Sequence, residues 1–245
     1  SLDGLRVCSA KKQRDRGNDN VQIKQQPVSY WNFGWVLIMI VVTSVVQIPL
    51  NFMAHGTTLQ RGLWAAGYLV GFAVAIALGA WIFQRVHPVH WQRLTREDWQ
   101  LMVKGYVFII VTEIILNVVN NVFFGETSTK NNTLIADIMG HSTLTLVMLS
   151  LTAVLASPFL EELTFRGILV GGCFPAKMFW VPVIASGVIF SLVHQSDNII
   201  SWLVYALMGG TFAYIYRKTD KLQTTIILHG FNNLIAVAAM IATLR

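Results

Sequence analysis

Residues 161–166 read Glu-Glu-Leu-Thr-Phe-Arg and follow an almost wholly apolar stretch, Leu144 to Leu160. A charged side chain at the centre of a membrane-spanning helix costs about 2.5–3.5 kcal/mol on insertion scales, so such groups pair, face a wet cavity or carry function. Glu162 and Arg166 are four residues apart, share a helical face and can offset one another. Glu161 lies on a different bearing and has no local partner, which suits it to take a proton and return it. Two further apolar segments bring polar groups of their own. One ends at His194; the other carries His229 and Asn233 four apart on one face. Asn232 points elsewhere and is expected to make packing hydrogen bonds. The residues could converge on one cavity: Glu161, Glu162 and Arg166, then His194, then His229 and Asn233. Interhelical hydrogen bonding explains a lone His or Asn, but it does not require two adjacent carboxylates.

The elements that must position these groups are membrane helices. The 245-residue chain is 54% hydrophobic and 12% charged, where soluble domains carry about 25% charged residues. Several apolar runs approach the ~20 residues that cross ~30 Å of hydrocarbon, and the alternating pattern of a membrane β-barrel is missing. The sequence predicts an all-α, polytopic integral membrane bundle of about seven transmembrane helices, near 33–53, 62–84, 102–124, 143–166, 179–195, 199–216 and 224–244. The fourth is expected to bend at Pro158 and run on towards Gly171, since neighbours can re-satisfy a carbonyl freed by proline. Gly67 with Gly71, and Gly209 with Gly210, are expected to allow close helix contact.

Residues 1–30 read as a flexible basic tail without a cleavable signal segment, and 31–245 as one membrane-embedded domain. The net charge of +6 sits in connections rather than on one folded face, so nucleic acid is not an expected partner. Basic residues of the tail, with Arg85, Arg93, Arg96, Lys177, Arg217, Lys218 and Lys221, fall on one side; Arg61, Lys130 and Arg245 fall on the other. That asymmetry predicts a multi-pass cell-membrane protein with its N-terminus cytoplasmic and its C-terminus outside. Trp31, Trp64, Trp81, Trp99 and Trp180 lie near span ends, as an interfacial belt would. Cys8 and Cys173 are expected to be free thiols. Residues 127–132 read as an external loop, and His55, His87, His90 and His141 as surface residues. Glu113, with Asn117 and Asn120, either reaches the cavity or bonds between helices.

Glu161-Glu162-Leu-Thr-Phe-Arg166, Phe190-Ser-Leu-Val-His194 and His229-Gly-Phe-Asn-Asn233 resemble the three motifs of the CAAX prenyl protease and bacteriocin-processing (CPBP or Abi) family of intramembrane endopeptidases. The resemblance covers about residues 143–240. It implies a peptide-bond hydrolase in which Glu161 is the general base on water and His194 helps to hold that water. It further implies that His229 and Asn233 donate to the oxyanion while Glu162 and Arg166 brace the site. The substrate would be a membrane-associated peptide or protein arriving from the membrane or the cytoplasmic side. Asn233 is a poor metal ligand and no His-Glu-x-x-His run is present, so no metal and no cofactor are expected. A zinc-dependent version, with two His and one Glu as ligands, is the alternative. The rival readings are a non-catalytic bacteriocin immunity or scaffold protein of the same fold, and a proton-coupled transporter, which would usually show inverted repeats.

Overall fold

The computed structural model describes residues 31–88 and 91–244, and the expectations for the 1–30 tail, Cys8, His90 and Arg245 fall outside them. Among the described residues eight helices follow one another: α1 (Trp31–Val45, followed by a 3₁₀ turn, Ile48–Phe52), α2 (Thr58–Val86), α3 (Arg96–Phe124), α4 (Lys130–Gly140), α5 (Thr143–Gly172), α6 (Trp180–Val193), α7 (Ile199–Thr219) and α8 (Leu222–Thr243). Among the described residues there is no strand. The starts of the long helices are set locally. Thr57 with Gln60 and Thr95 with Asp98 form capping boxes that satisfy the first free N–H groups of α2 and α3.

Among the described residues six helical segments are long and apolar enough to cross a membrane, and α6 is a shorter apolar helix. With 14 residues, α6 reaches about 21 Å at 1.5 Å per residue. Burial is inverted relative to a water-soluble bundle. Leu63, Val70 and Val74 of α2 and Val103, Val107, Ile114 and Val118 of α3 face outward. Glu162, Arg166, Thr164, Ser186 and Thr225 are wholly buried. Lipid accepts the apolar exterior, while backbone and polar groups must be satisfied inside. The chain is a multi-pass α-helical membrane protein.

Two expectations are corrected. The external loop over 127–132 gives way at Lys130 to α4, whose first turn is capped by Thr129 accepting from the Asn132 N–H. Its polar residues hid an amphipathic helix too short to span. Gly67 has open space around it, whereas Gly71 lies against Val46, so only one of that pair is a contact glycine.

The fourth predicted span runs on past Arg166, as expected, and its irregularity is specific. Thr152–Ala156 and Leu163–Gly172 are π-helical, bracketing an α-helical segment at Ser157–Glu162 that holds both carboxylates. Wide turns of this kind recur at functional sites. The Ser157 N–H bonds the Thr152 carbonyl, five residues back. In that register the next donor would be Pro158, which has none, and its acceptor would be the Ala153 carbonyl. Asn233 Nδ2 of α8 donates to this oxygen at 2.9 Å. A Cβ on Gly230 would stand 2.9 Å from the Val154 carbonyl, so only glycine lets α8 lie this close to the proline-broken turn.

Candidate active site

Three separate helices deliver the polar groups, and each does so through a local feature. The π stretches rotate α5 so that Glu161 lines a cavity of about 430 Å³ while Glu162 and Arg166 are buried behind it. On α6, the helix stops at Val193 and His194 turns to extended backbone (φ −95°, ψ 134°), which swings its ring into the same cavity. On α8, His229 and Asn233 share a face and both line the cavity; Asn232 also reaches its wall and donates weakly to Met208 Sδ at 3.8 Å.

Glu161 Oε2 lies 3.9 Å from His194 Nε2 and 3.8 Å from His229 Nε2. It has no hydrogen-bond partner among the described residues. These separations are too long for direct hydrogen bonds and are the spacing at which one water molecule bridges polar groups. His194 Nδ1 lies 2.7 Å from the Phe190 carbonyl. A carbonyl only accepts, so Nδ1 carries a proton there and the Nε2 of the neutral ring presents its lone pair to the cavity. The ring is stacked on Tyr205 at 4.6 Å between centroids and 18° between planes.

Behind the cavity, Glu162 Oε1 accepts from Arg166 Nη1 at 2.9 Å and stands 2.9 Å from His229 Nδ1. Arg166 Nη2 donates to the Gly209 carbonyl at 3.0 Å, and its guanidinium lies over the rings of Phe190 and Phe212. The predicted pairing of Glu162 with Arg166 is thus present in a site closed to solvent. Gly209 matters because a Cβ there would come within 2.8 Å of Phe190. Gly187 lets α6 press on α7, where a Cβ would meet the Ala206 carbonyl at 2.5 Å.

Residues not singled out from sequence also build the site. Tyr205 orients His194 and is itself held: its hydroxyl donates to Asn132 Oδ1 at 3.2 Å and accepts from Thr129 Oγ1 at 2.8 Å. The signal was an aromatic near the start of an apolar helix, which sequence alone cannot tell from interfacial packing. Glu113 of α3 does reach the cavity. His55 and His141 are exposed, as expected, but His87 is half-buried and pairs with Asp220 at 3.2 Å. Among the described residues no group of three or more His, Cys, Asp or Glu is arranged to hold a metal ion.

Fold and site together define an integral membrane protein with a carboxylate, two imidazoles and an amide around one internal cavity. Residues 143–235 match the family described as "Type II CAAX prenyl endopeptidase Rce1-like", the stretch that carries the three motifs. The chain is also 24% identical over 237 residues to YdiL of Bacillus subtilis (strain 168), provisionally named a membrane peptidase, covering 88% of this chain and 91% of that protein. No solved structure matches.

Proposed function

We propose that this protein is an intramembrane endopeptidase that hydrolyses a peptide bond with water activated by Glu161. The observation that carries the reading is the triangle of Glu161 Oε2 with two imidazole Nε2 atoms at 3.9 and 3.8 Å on a cavity wall. Water in that triangle gives one proton to Glu161 and directs the other at the His194 lone pair. Its oxygen attacks the scissile carbonyl carbon. His229 Nδ1 is committed to Glu162, so a proton on Nε2 makes the ring an imidazolium; Glu161, Glu162, Arg166 and His229 then sum to zero charge. In that state His229 can donate to the developing oxyanion, as can the Asn233 N–H not used on Ala153. A donor aimed at an oxyanion in a dry site is worth about 10²–10³ in rate. Glu161 then passes its proton to the amine nitrogen as the C–N bond breaks, leaving a carboxylic acid and an amine. No step in this reading needs a metal, and Asn233, a neutral amide, is a poor metal ligand.

The side of access is also part of this reading. The cavity wall is built from the end of α1 and the Ile48–Phe52 turn, from α4, and from residues around His194 and Tyr205. None of the basic connections near 87–95, 173–179 or 218–221 lines it. With the N-terminus cytoplasmic, as the loop charges favour, the cavity reaches towards the outer face. This reading favours access from the membrane plane or the outer face over the cytoplasmic side. The test is cleavage of membrane-associated peptides by the purified chain in lipid nanodiscs. Activity in the wild type and none in Glu161→Gln supports hydrolysis; equal activity in both rejects it.

A further inference from the structure

We infer that Glu113 forms a subsite of this cavity for a cationic group of the substrate, a lysine or arginine side chain or a free α-ammonium. The inference rests on the peptidase reading for its substrate class, though not for the site itself.

Carboxylates in membrane helices need compensation, and among the described residues the other sheltered ones stand beside a cation or imidazoles. Asp98 pairs with Lys221 at 2.6 Å, Glu162 with Arg166 at 2.9 Å, and Glu161 stands between two imidazoles. Glu113 is half-buried in the middle of α3 and makes no hydrogen bond or ion pair with any described residue. It faces the cavity that also holds Glu161, His194 and His229. No lysine or arginine lines that cavity, and its remaining polar wall is neutral. Asn131 and Asn132 of α4 and Tyr205 stand on the same wall as neutral hydrogen-bonding neighbours. A cleft carrying carboxylates, walled by low-dielectric protein and lipid, concentrates cations. An ammonium or guanidinium placed against Glu113 would neutralise this carboxylate and sit in the same chamber as the water-activating triangle. Interhelical bonding, the blander role for a buried Glu, has no partner here to bond.

The test uses the full chain in nanodiscs with fluorescent peptides that differ at one position, Lys or Gln, each with a free or an acetylated N-terminus. Binding is measured in Glu161→Gln protein and cleavage in otherwise unaltered protein. The expected result is binding about ten- to a hundredfold tighter for the cationic peptide. Glu113→Gln should abolish this preference, Glu113→Asp should keep part of it, and the acetylated Gln peptide should bind alike to all. In cleavage the effect should fall on KM rather than kcat. If acetylation removes the preference, the α-ammonium is the recognised group; if the Lys-to-Gln change does, the side chain is. Equal binding of all four peptides, or a preference that survives Glu113→Gln, overturns the subsite. Should Glu113→Gln fail to fold, the Lys-to-Gln comparison on the unaltered residue still decides. Selective binding without cleavage would sink the peptidase reading and leave the subsite standing.

Discussion

One oxygen of Glu162 is shared by Arg166 Nη1 and His229 Nδ1, each at 2.9 Å. That sharing assigns different work to two neighbouring carboxylates. Glu162 is buried and holds a cation and an imidazole through Oε1, whereas Glu161 lines the cavity, where its Oε2 makes no direct hydrogen bond. Glu161→Gln should preserve shape and expression while lowering turnover to the background of the assay, because the amide cannot take a proton from water. Arg166→Ala should cost about 3–5 kcal/mol by stranding a buried charge. Less folded protein in detergent, and a lower unfolding temperature than Glu161→Gln shows, would record that cost. A pair change, Glu162→Gln with Arg166→Met, should recover much of the stability but not the activity, since His229 loses its carboxylate. Treatment with a chelator should leave cleavage unchanged; full loss restored by zinc would overturn the metal-free route.

At the scale of elements, helices are shaped by interruptions. Pro158 and the π turns of α5 set the bearing of Glu161, and the early end of α6 sets that of His194. Pro158 and the motif spacings were legible in the sequence, so a bend and a polar cluster followed from them. The π register was not, because the residues of a π turn have no composition of their own; the wide turn is stabilised by Asn233 and permitted by Gly230, both on another helix. Asn233 braces Ala153 and, in the proposed mechanism, also donates to the oxyanion; spacing revealed only that it shares a face with His229. Helix α4 escaped notice because Asn131 and Asn132 read as loop polarity, although Leu134, Ile135 and Ile138 recur at helical spacing. The glycine contacts make an element-level prediction. Gly187→Leu should push α6 off α7, where even a Cβ lies 2.5 Å from a carbonyl, and destabilise by about 1–3 kcal/mol as overpacking does. His194 should shift with it, so activity should fall further than stability alone explains. A variant as active and as heat-resistant as the parent would contradict this packing.

For the whole molecule, apolar run length conveyed the membrane class and nearly every helix, because the bilayer imposes one constraint on all spans. Orientation rests on loop charge and is open to a direct check. In a chain with Cys8→Ser, burial pushes the Cys173 thiol up to about 12, which keeps it protonated and inert. Thr127→Cys should then react with a membrane-impermeant maleimide on intact cells, and Lys177→Cys only after lysis. The reverse pattern would put the cavity on the cytoplasmic side. The most direct trial of the central claim is mass spectrometry of cleavage in ¹⁸O-labelled water, comparing membranes that hold the wild-type chain with those that hold Glu161→Gln. The account predicts new peptide C-termini carrying one ¹⁸O in the wild type alone; the same labelled termini at the same level with Glu161→Gln would contradict it.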